Sequence, residues 1–190
     1  MNGYDFDKTI YDGDSFTRFY IFTLLRRPFL ILFLPLYILP IMLFFLKRIG
    51  KKEVKQLLML NLAFYKDRQK IVNKFWDKHL LHIKPWYYKL QKDDDIVISA
   101  SPTFLVKCAC DRLGIKTVIA TDMNLNTLKI EGKNCYGQVK VEKFEQQFGK
   151  DLVLEAFYSD SLSDMPMMEK SKQGILVTGD KLEVIFEQKV

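Results

Sequence analysis

The hydrophobic pattern divides the chain into three textures. Residues 3–7 read as a short strand running into acidic positions, and Ile10 to Leu25 mixes polar and aromatic side chains. No charged residue occurs from Pro28 to Leu46, whereas Arg26 and Arg27 precede that run and Lys47, Arg48, Lys51 and Lys52 follow it. From Glu53 to about Leu81, Val54, Leu58, Leu62, Tyr65, Val72, Trp76 and Leu80 recur at spacings of three, four or seven. Lys66, Asp67, Lys70, Lys74 and Lys78 fill polar positions between them, which predicts an amphipathic helix.

After Lys84-Pro85 the pattern becomes alternating α/β. Strands are predicted at Ile96–Ile98, Thr117–Ala120, Leu152–Tyr158 and Gly174–Thr178, with a short edge strand at Leu182–Phe186. A helix is predicted from Pro102, capped by Ser101, to near Gly114, and another from Val139 to Phe148 before Gly149. Thr121 to Cys135 reads as a small hairpin, and Asp93, Asp94 and Asp95 as a solvated lead into a strand. Strands alternating with helices predict an α/β fold with a mainly parallel sheet covered on both faces.

Composition narrows the function. A length of 190 residues fits one domain, or one with a modest insertion, and 48% hydrophobic residues exclude a disordered chain. The net charge of +6 suits anionic partners such as phosphates or anionic lipid surfaces. Nucleic acid is disfavoured, because the basic residues flank an apolar run. Cys108, Cys110 and Cys135 form neither a disulfide framework nor a zinc spacing and read as small apolar residues. His79 and His82, the only histidines, sit in a Lys- and aromatic-rich stretch without a serine or cysteine nucleophile to activate. The first residues lack the basic and apolar regions of a signal peptide.

Chemistry in open α/β sheets gathers at the carboxyl ends of strands. Here those ends carry Asp5-Phe6-Asp7-Lys8-Thr9, Ser99-Ala100-Ser101-Pro102 and Asp160-Ser161-Leu162-Ser163-Asp164, and Lys140 opens a helix between the last two. A carboxylate can attack phosphorus when a divalent cation offsets the repulsion between two anions. A second carboxylate two residues on can protonate the leaving oxygen, and a hydroxyl and a lysine can hold phosphate oxygens.

Asp5-Phe6-Asp7-Lys8-Thr9 resembles motif I, DxDxT, of the haloacid dehalogenase superfamily. The resemblance implies a Rossmann-like core (1–11 and 90–190) with a helical cap (12–89) inserted between motifs I and II. It implies that Asp5 is the nucleophile and a Mg²⁺ ligand. Asp7 would be the general acid/base, with its backbone carbonyl on the metal, and Thr9 would support the loop. Ser99 matches the phosphate-binding hydroxyl of motif II, with Ser101 a second candidate. Lys140 matches the motif III lysine, with Lys133 and Lys143 as competitors. Asp160 would bind the metal, supported by Asp164. Lys8 and Ser159 stand where the family often has glycine.

More narrowly the chain resembles subfamily IB, which includes phosphoserine phosphatases, and three stretches carry a closer resemblance to phosphatidylglycerophosphatase C and its relatives. The stretches are Arg26-Arg27-Pro28 with the apolar run behind it, Ser99-Ala100-Ser101-Pro102, and Tyr158-Ser159-Asp160-Ser161. The implied activity is a Mg²⁺-dependent phosphomonoesterase with an aspartyl-phosphate intermediate, acting on a phosphorylated lipid head group such as phosphatidylglycerophosphate. The alternatives are a soluble phosphatase of the phosphoserine type and a non-catalytic membrane-associated binding protein.

A single crossing by residues 28–46 would put Asp5 and Asp160 on opposite sides of a bilayer. A re-entrant or in-plane segment at the cytoplasmic face is therefore expected, with packing inside the cap as the alternative. Asp14, Ser15 and Arg18 are candidates for the pocket mouth. Trp86, Tyr87 and Tyr88 fit an interfacial belt or a packing layer equally well.

Overall fold

The computed structural model describes residues 1–188. A six-stranded sheet runs in the order β3-β2-β1-β4-β5-β6. The strands are β1 (Gly3–Tyr4), β2 (Ile96–Pro102), β3 (Thr117–Thr121), β4 (Leu154–Ser159), β5 (Ser171–Thr178) and β6 (Lys181–Glu187). All pairings are parallel except β5 with β6, which form an antiparallel hairpin at the edge. The chain winds outward from β1 to β2 and β3 and then returns to β4 on the other side. β1 is therefore the switch point, where a crevice opens at the carboxyl ends of the strands.

The sheet has the predicted α/β form with a mostly parallel order. Alternation along its strands feeds two cores. Val97, Ala156, Tyr158, Ile175 and Val177 join one core; Ile96, Ile98 and Phe157 join the other, together with Leu154 at the start of β4. Between β1 and β2 lie α1 (Ser15–Arg26), α2 (Leu34–Phe45), α3 (Lys51–Met59), α4 (Arg68–His79) and α5 (Pro85–Leu90). Phe16 and Phe19 of α1, Met59 of α3, and Phe75 and Trp76 of α4 join the first core, together with α6 (Thr103–Leu113). α7 (Gln138–Phe148) and the short α8 (Met165–Met168) cover the second face through Val141, Phe144, Met167 and Met168.

Several local expectations need correction. The helix predicted from Glu53 to Leu81 is two helices. It breaks at a 3-10 turn, Leu60–Phe64, and restarts at Asp67, whose Oδ1 accepts the Lys70 N–H at 2.8 Å. A carboxylate there satisfies one of the unpaired N–H groups of a new helix. Ser101 does not cap α6: β2 continues to Pro102, which is itself the N-cap residue. The Asp triplet is not uniformly solvated, since Asp95 is buried and its Oδ2 accepts the Lys92 N–H at 2.8 Å. The strand expected through Asp7 pairs only over Gly3–Tyr4.

The segment expected as a small hairpin, residues 121–135, retains one antiparallel bridge, between Met123 and Ile130. Trp86 and Tyr87 pack on the sheet: Trp86 stacks on Tyr158 at 5.8 Å, and Tyr87 meets Tyr4 edge-on at 5.1 Å. Tyr88 is exposed. Cys110 and Cys135 are buried free thiols, and His79 stacks on Phe75 at 4.2 Å.

Candidate active site

Asp5 follows the last paired residue of β1, and its N–H still donates to the Tyr158 carbonyl at 2.8 Å. Gly3 is needed just before it, because a Cβ there would lie 2.7 Å from side-chain carbons of Leu154 and Phe157. Beyond Asp5 the chain turns out of the sheet, and Lys8 takes a left-handed conformation, φ 60°. Two contacts hold that turn. The Lys8 N–H donates to the Gly13 carbonyl at 2.9 Å, and Lys84 Nζ donates to the Lys8 carbonyl at 2.6 Å. Lys84 also reaches the Gly179 carbonyl at 2.7 Å, so a buried ammonium ties the loop after β1 to the β5–β6 hairpin.

Lys140, in the first turn of α7, is buried and lies 2.6 Å from both Asp5 Oδ1 and Asp164 Oδ2. Gly137 precedes that helix at φ 55°, a conformation that glycine adopts without a Cβ penalty. Burial alone would lower the lysine's pKa, but the two carboxylates outweigh it and raise it, so the ammonium persists. Burial pushes Asp5 up to about 7, helped by Asp164 and Asp7 and opposed by Lys140. Thr9 links two strands: its hydroxyl donates to Asp5 Oδ2 at 3.5 Å and accepts the Asp160 N–H at 2.9 Å. The Ser159 hydroxyl donates to Asp164 Oδ2 at 2.7 Å.

Asp7 is oriented separately. Its Oδ1 accepts the Ser15 N–H at 2.7 Å, at the start of α1, and its Oδ2 accepts the Ser101 hydroxyl at 2.5 Å. Burial raises its pKa, as does nearby Asp14, while Ser101 and Ser15 oppose the shift. Burial also raises Asp160, with Lys8 opposing. Asp5, Asp7, Asp14, Ser101, Lys140, Asp160 and Asp164 line a cavity of about 330 Å³ together with Lys55, Ser99, Asn134, Tyr136, Ser161 and Ser163, whereas Ser15, expected at its mouth, is fully buried and not part of the lining.

A profile of haloacid dehalogenase-like hydrolases matches residues 3–169. The chain belongs to the haloacid dehalogenase-like hydrolases. Among solved structures, a protein of unknown function from Bordetella pertussis Tohama I is 16% identical at a TM-score of 0.73, covering 93% of this chain and 88% of that one. A phosphoserine phosphohydrolase-like protein from Francisella tularensis subsp. tularensis SCHU S4 is 18% identical at a TM-score of 0.57, covering 92% and 85%. A phosphoserine phosphatase carrying an analogue of its phospho-aspartyl intermediate is 14% identical at 0.51, covering 92% and 84%. At these identities the likeness is one of fold. No curated protein matches the chain by sequence.

The hydrolase fold brings Asp5, Asp7, Ser99, Ser101, Lys140, Asp160 and Asp164 into one cavity. Ser99 is buried there, and its Oγ accepts the Ser101 N–H at 3.1 Å. Ser101 spends its hydroxyl on Asp7. The competing lysines point elsewhere: Lys133 pairs with Glu142, and Lys143 pairs with Asp122. Asp14 lines the cavity and caps α1, its Oδ1 accepting the Thr17 N–H at 2.7 Å.

Arg18 is not at the cavity mouth. Its guanidinium lies over the Tyr11 ring at 5.3 Å and donates to the Tyr11 hydroxyl, so that contact holds it away from the cavity lining. Lys55, Lys84, Asn134 and Tyr136 were not singled out in the sequence. They reach the site through long-range packing, which leaves no local motif.

Proposed function

We propose that this hydrolase is a phosphomonoesterase that works through an aspartyl-phosphate on Asp5. The observation that carries the reading is the division of labour between two carboxylates two residues apart, Asp5 buried and Asp7 half-buried. Asp5 is paired with a lysine, and Asp7 is held by a serine hydroxyl and a helix N-terminal N–H. Asp5 is suited to attack phosphorus. Asp7, with its raised pKa, is suited to give its proton to the leaving oxygen.

In the first step an Asp5 oxygen bonds to phosphorus, the ester P–O bond breaks, and the Asp7 proton goes to the departing alkoxide. In the second step a water loses its proton to Asp7 and attacks phosphorus, and the Asp5–phosphorus bond breaks. Free phosphate and the starting carboxylate result. Lys140 and Ser99 would hold phosphate oxygens as they gain charge.

Magnesium fits this donor set. Among the described residues no group of three or more acidic, histidine or cysteine side chains is by itself placed to hold a metal ion. Mg²⁺, however, keeps several waters and needs only a few hard oxygens. Asp164 Oδ1 is buried without a hydrogen-bond partner, and burial raises both Asp5 and Asp160, so the site favours an added cation. Asp5, the Asp7 carbonyl and Asp160 would hold it, with Asp164 behind them. The ion would neutralise phosphate charge during attack.

The finer reading is a phosphorylated lipid head group, met at a membrane surface. Supporting it, α2 and its flanks expose large apolar side chains: Leu32 is 80% exposed, Ile38 62%, Phe45 76% and Leu46 61%. Exposed Arg26, Arg27, Lys47 and Arg48 border them. Isolated apolar residues are ordinary on a surface, but several exposed along one run, with cations at both its ends, suit an anionic bilayer. No helix among the described residues is long and apolar enough to cross a membrane, so the segment would lie in the interface. The fold likeness to phosphoserine phosphatases keeps a soluble ester as the second reading.

Phosphate release with Mg²⁺ from phosphatidylglycerophosphate in mixed micelles and from phosphoserine in buffer tests both. Release from the lipid supports the membrane reading, and release from phosphoserine alone supports the second. Release from no ester at all contradicts the phosphatase.

A further inference from the structure

The phosphoryl end of the cavity is accounted for by Lys140, Ser99 and the carboxylates, yet the cavity continues beyond them. Its remaining lining includes two further lysines, Lys8 and Lys55. Lys140 is committed to Asp5 and Asp164. Lys55 comes from α3, in the helical segment between β1 and β2, and enters from the side. Its Nζ donates to the Ala100 carbonyl at 2.7 Å and to Asn134 Oδ1 at 3.2 Å. Ala100 lies between the two cavity serines, so the ammonium is fixed at the rim of the phosphoryl site.

Asn134 is itself anchored, its Oδ1 accepting the Thr121 hydroxyl at 3.1 Å. The Lys55 ammonium also lies 5.8 Å from the centre of the Phe16 ring, another cavity wall. Elements distant in sequence thus converge to hold one cation in place. Lys8 is fixed by other means, with its backbone held at φ 60° by Gly13 and Lys84 and its side chain exposed on the cavity wall. A non-glycine residue kept in that conformation costs free energy, and such residues concentrate at functional sites.

A cavity of about 330 Å³ is large enough for a ligand that extends past its phosphate. Cations fixed before the substrate arrives lose little on binding an anion, and they favour it over a neutral group.

We propose that Lys55, assisted by Lys8, is a specificity determinant that reads a second anionic group on the leaving half of the substrate. The substrate class is a phosphomonoester whose alcohol carries a phosphodiester or a carboxylate a few bonds from the scissile phosphate. The inference rests on the phosphatase reading of the same cavity. It adds that the cavity selects among esters by charge.

The test uses two matched pairs. 3-Phosphoglycerate and glycerol 3-phosphate share a three-carbon skeleton and differ in a carboxylate. Phosphatidylglycerophosphate and phosphatidic acid, each in mixed micelles, differ in a bridging phosphodiester and the glycerol that follows it. The quantity read is the ratio of kcat/KM within a pair, measured with wild type, Lys55→Met, Lys55→Arg and Lys55→Glu. Both members meet the same preparation, so any loss of folded protein cancels from the ratio.

The expected result is a preference of about tenfold or more for the second anion in at least one pair. Lys55→Met should remove most of it, Lys55→Arg should keep most of it, and Lys55→Glu should bring it below unity. The pair that responds tells a lipid source of the anion from a soluble one. Equal ratios in wild type and Lys55→Met, or turnover of p-nitrophenyl phosphate but of neither pair, would overturn this inference and leave the phosphatase standing. No turnover of any ester by wild type would overturn both.

Discussion

The carboxyl edge of the sheet and the apolar stretch from Pro28 to Leu46 solve opposite problems. At the sheet edge, polar groups are taken out of water and the charges are answered: Lys140 by two carboxylates, Asp7 by Ser15 and Ser101, Lys84 by two carbonyls. In the apolar stretch, side chains that would ordinarily be buried stand in solvent, with Leu30 the buried anchor of its first turn. Buried charge in the first region is stable only because its partners are in place. Exposed apolar surface in the second is stable only if something else covers it. The proposed function puts chemistry in the first region and contact with a lipid surface in the second.

Variants at the sheet edge should have the largest effects. Asp5→Asn should lower turnover on the order of 10⁴-fold or more, since it removes the attacking group. Steady-state phosphate release measures it, and near wild-type rates would break the assignment. Lys140→Met leaves Asp5 and Asp164 buried without their cation. It should cost about 3–5 kcal/mol of stability as well as activity, read by urea unfolding. Ser101→Ala should reduce kcat roughly tenfold for poor leaving groups, with a smaller effect on p-nitrophenyl phosphate, because it loosens the proton donor and spares the nucleophile.

The apolar stretch should behave in the reverse way. The double variant Leu32→Glu with Phe45→Glu should weaken binding to anionic vesicles by about tenfold or more in co-sedimentation. Its effect on a soluble ester should be much smaller. Equal vesicle binding by variant and wild type would remove the contact role from this surface.

The smallest effect belongs to a charge outside both regions. Burial raises the Asp95 carboxyl above its ordinary range. The folded state therefore holds that proton more tightly than the unfolded chain, and stability from this group is lost as pH rises through the folded pKa. Asp95→Asn should raise Tm at neutral pH, and the gain should shrink as pH falls into the range where the wild-type carboxyl is protonated. A constant gain at all pH values would point to packing instead of charge.

What could be read in the sequence followed the range of the interactions. β2, β3 and β4 appeared as short apolar runs, and Asp5, Asp7 and Asp160 stood just beyond strands, where an α/β sheet gathers its chemistry, whereas Ser99, expected just past a strand, lies within β2. Lys140 was separable from Lys133 and Lys143 by its place in the first turn of a helix. Ser101 was visible, but its partner was not, because a strand continued through Pro102 turns that hydroxyl to Asp7 instead of to a helix end. Arg18 and Ser15 stood close to motif I in sequence, yet neither lines the cavity: Arg18 goes to Tyr11, and Ser15 is buried with its N–H on Asp7. Lys55, Lys84 and Asn134 had no signal, since each reaches the site through a segment remote from it. Asp95 was hidden in a run of three aspartates of which only it is buried.

The central claim is that Asp5 becomes phosphorylated. Wild type and Asp5→Asn would be mixed with a ³²P-labelled phosphomonoester and Mg²⁺, quenched in acid within the first turnover and digested. The account predicts acid-stable label on the peptide that contains Asp5 in wild type, and none in the variant. Phosphate release by wild type with no label on that peptide, or label elsewhere that survives Asp5→Asn, would contradict it.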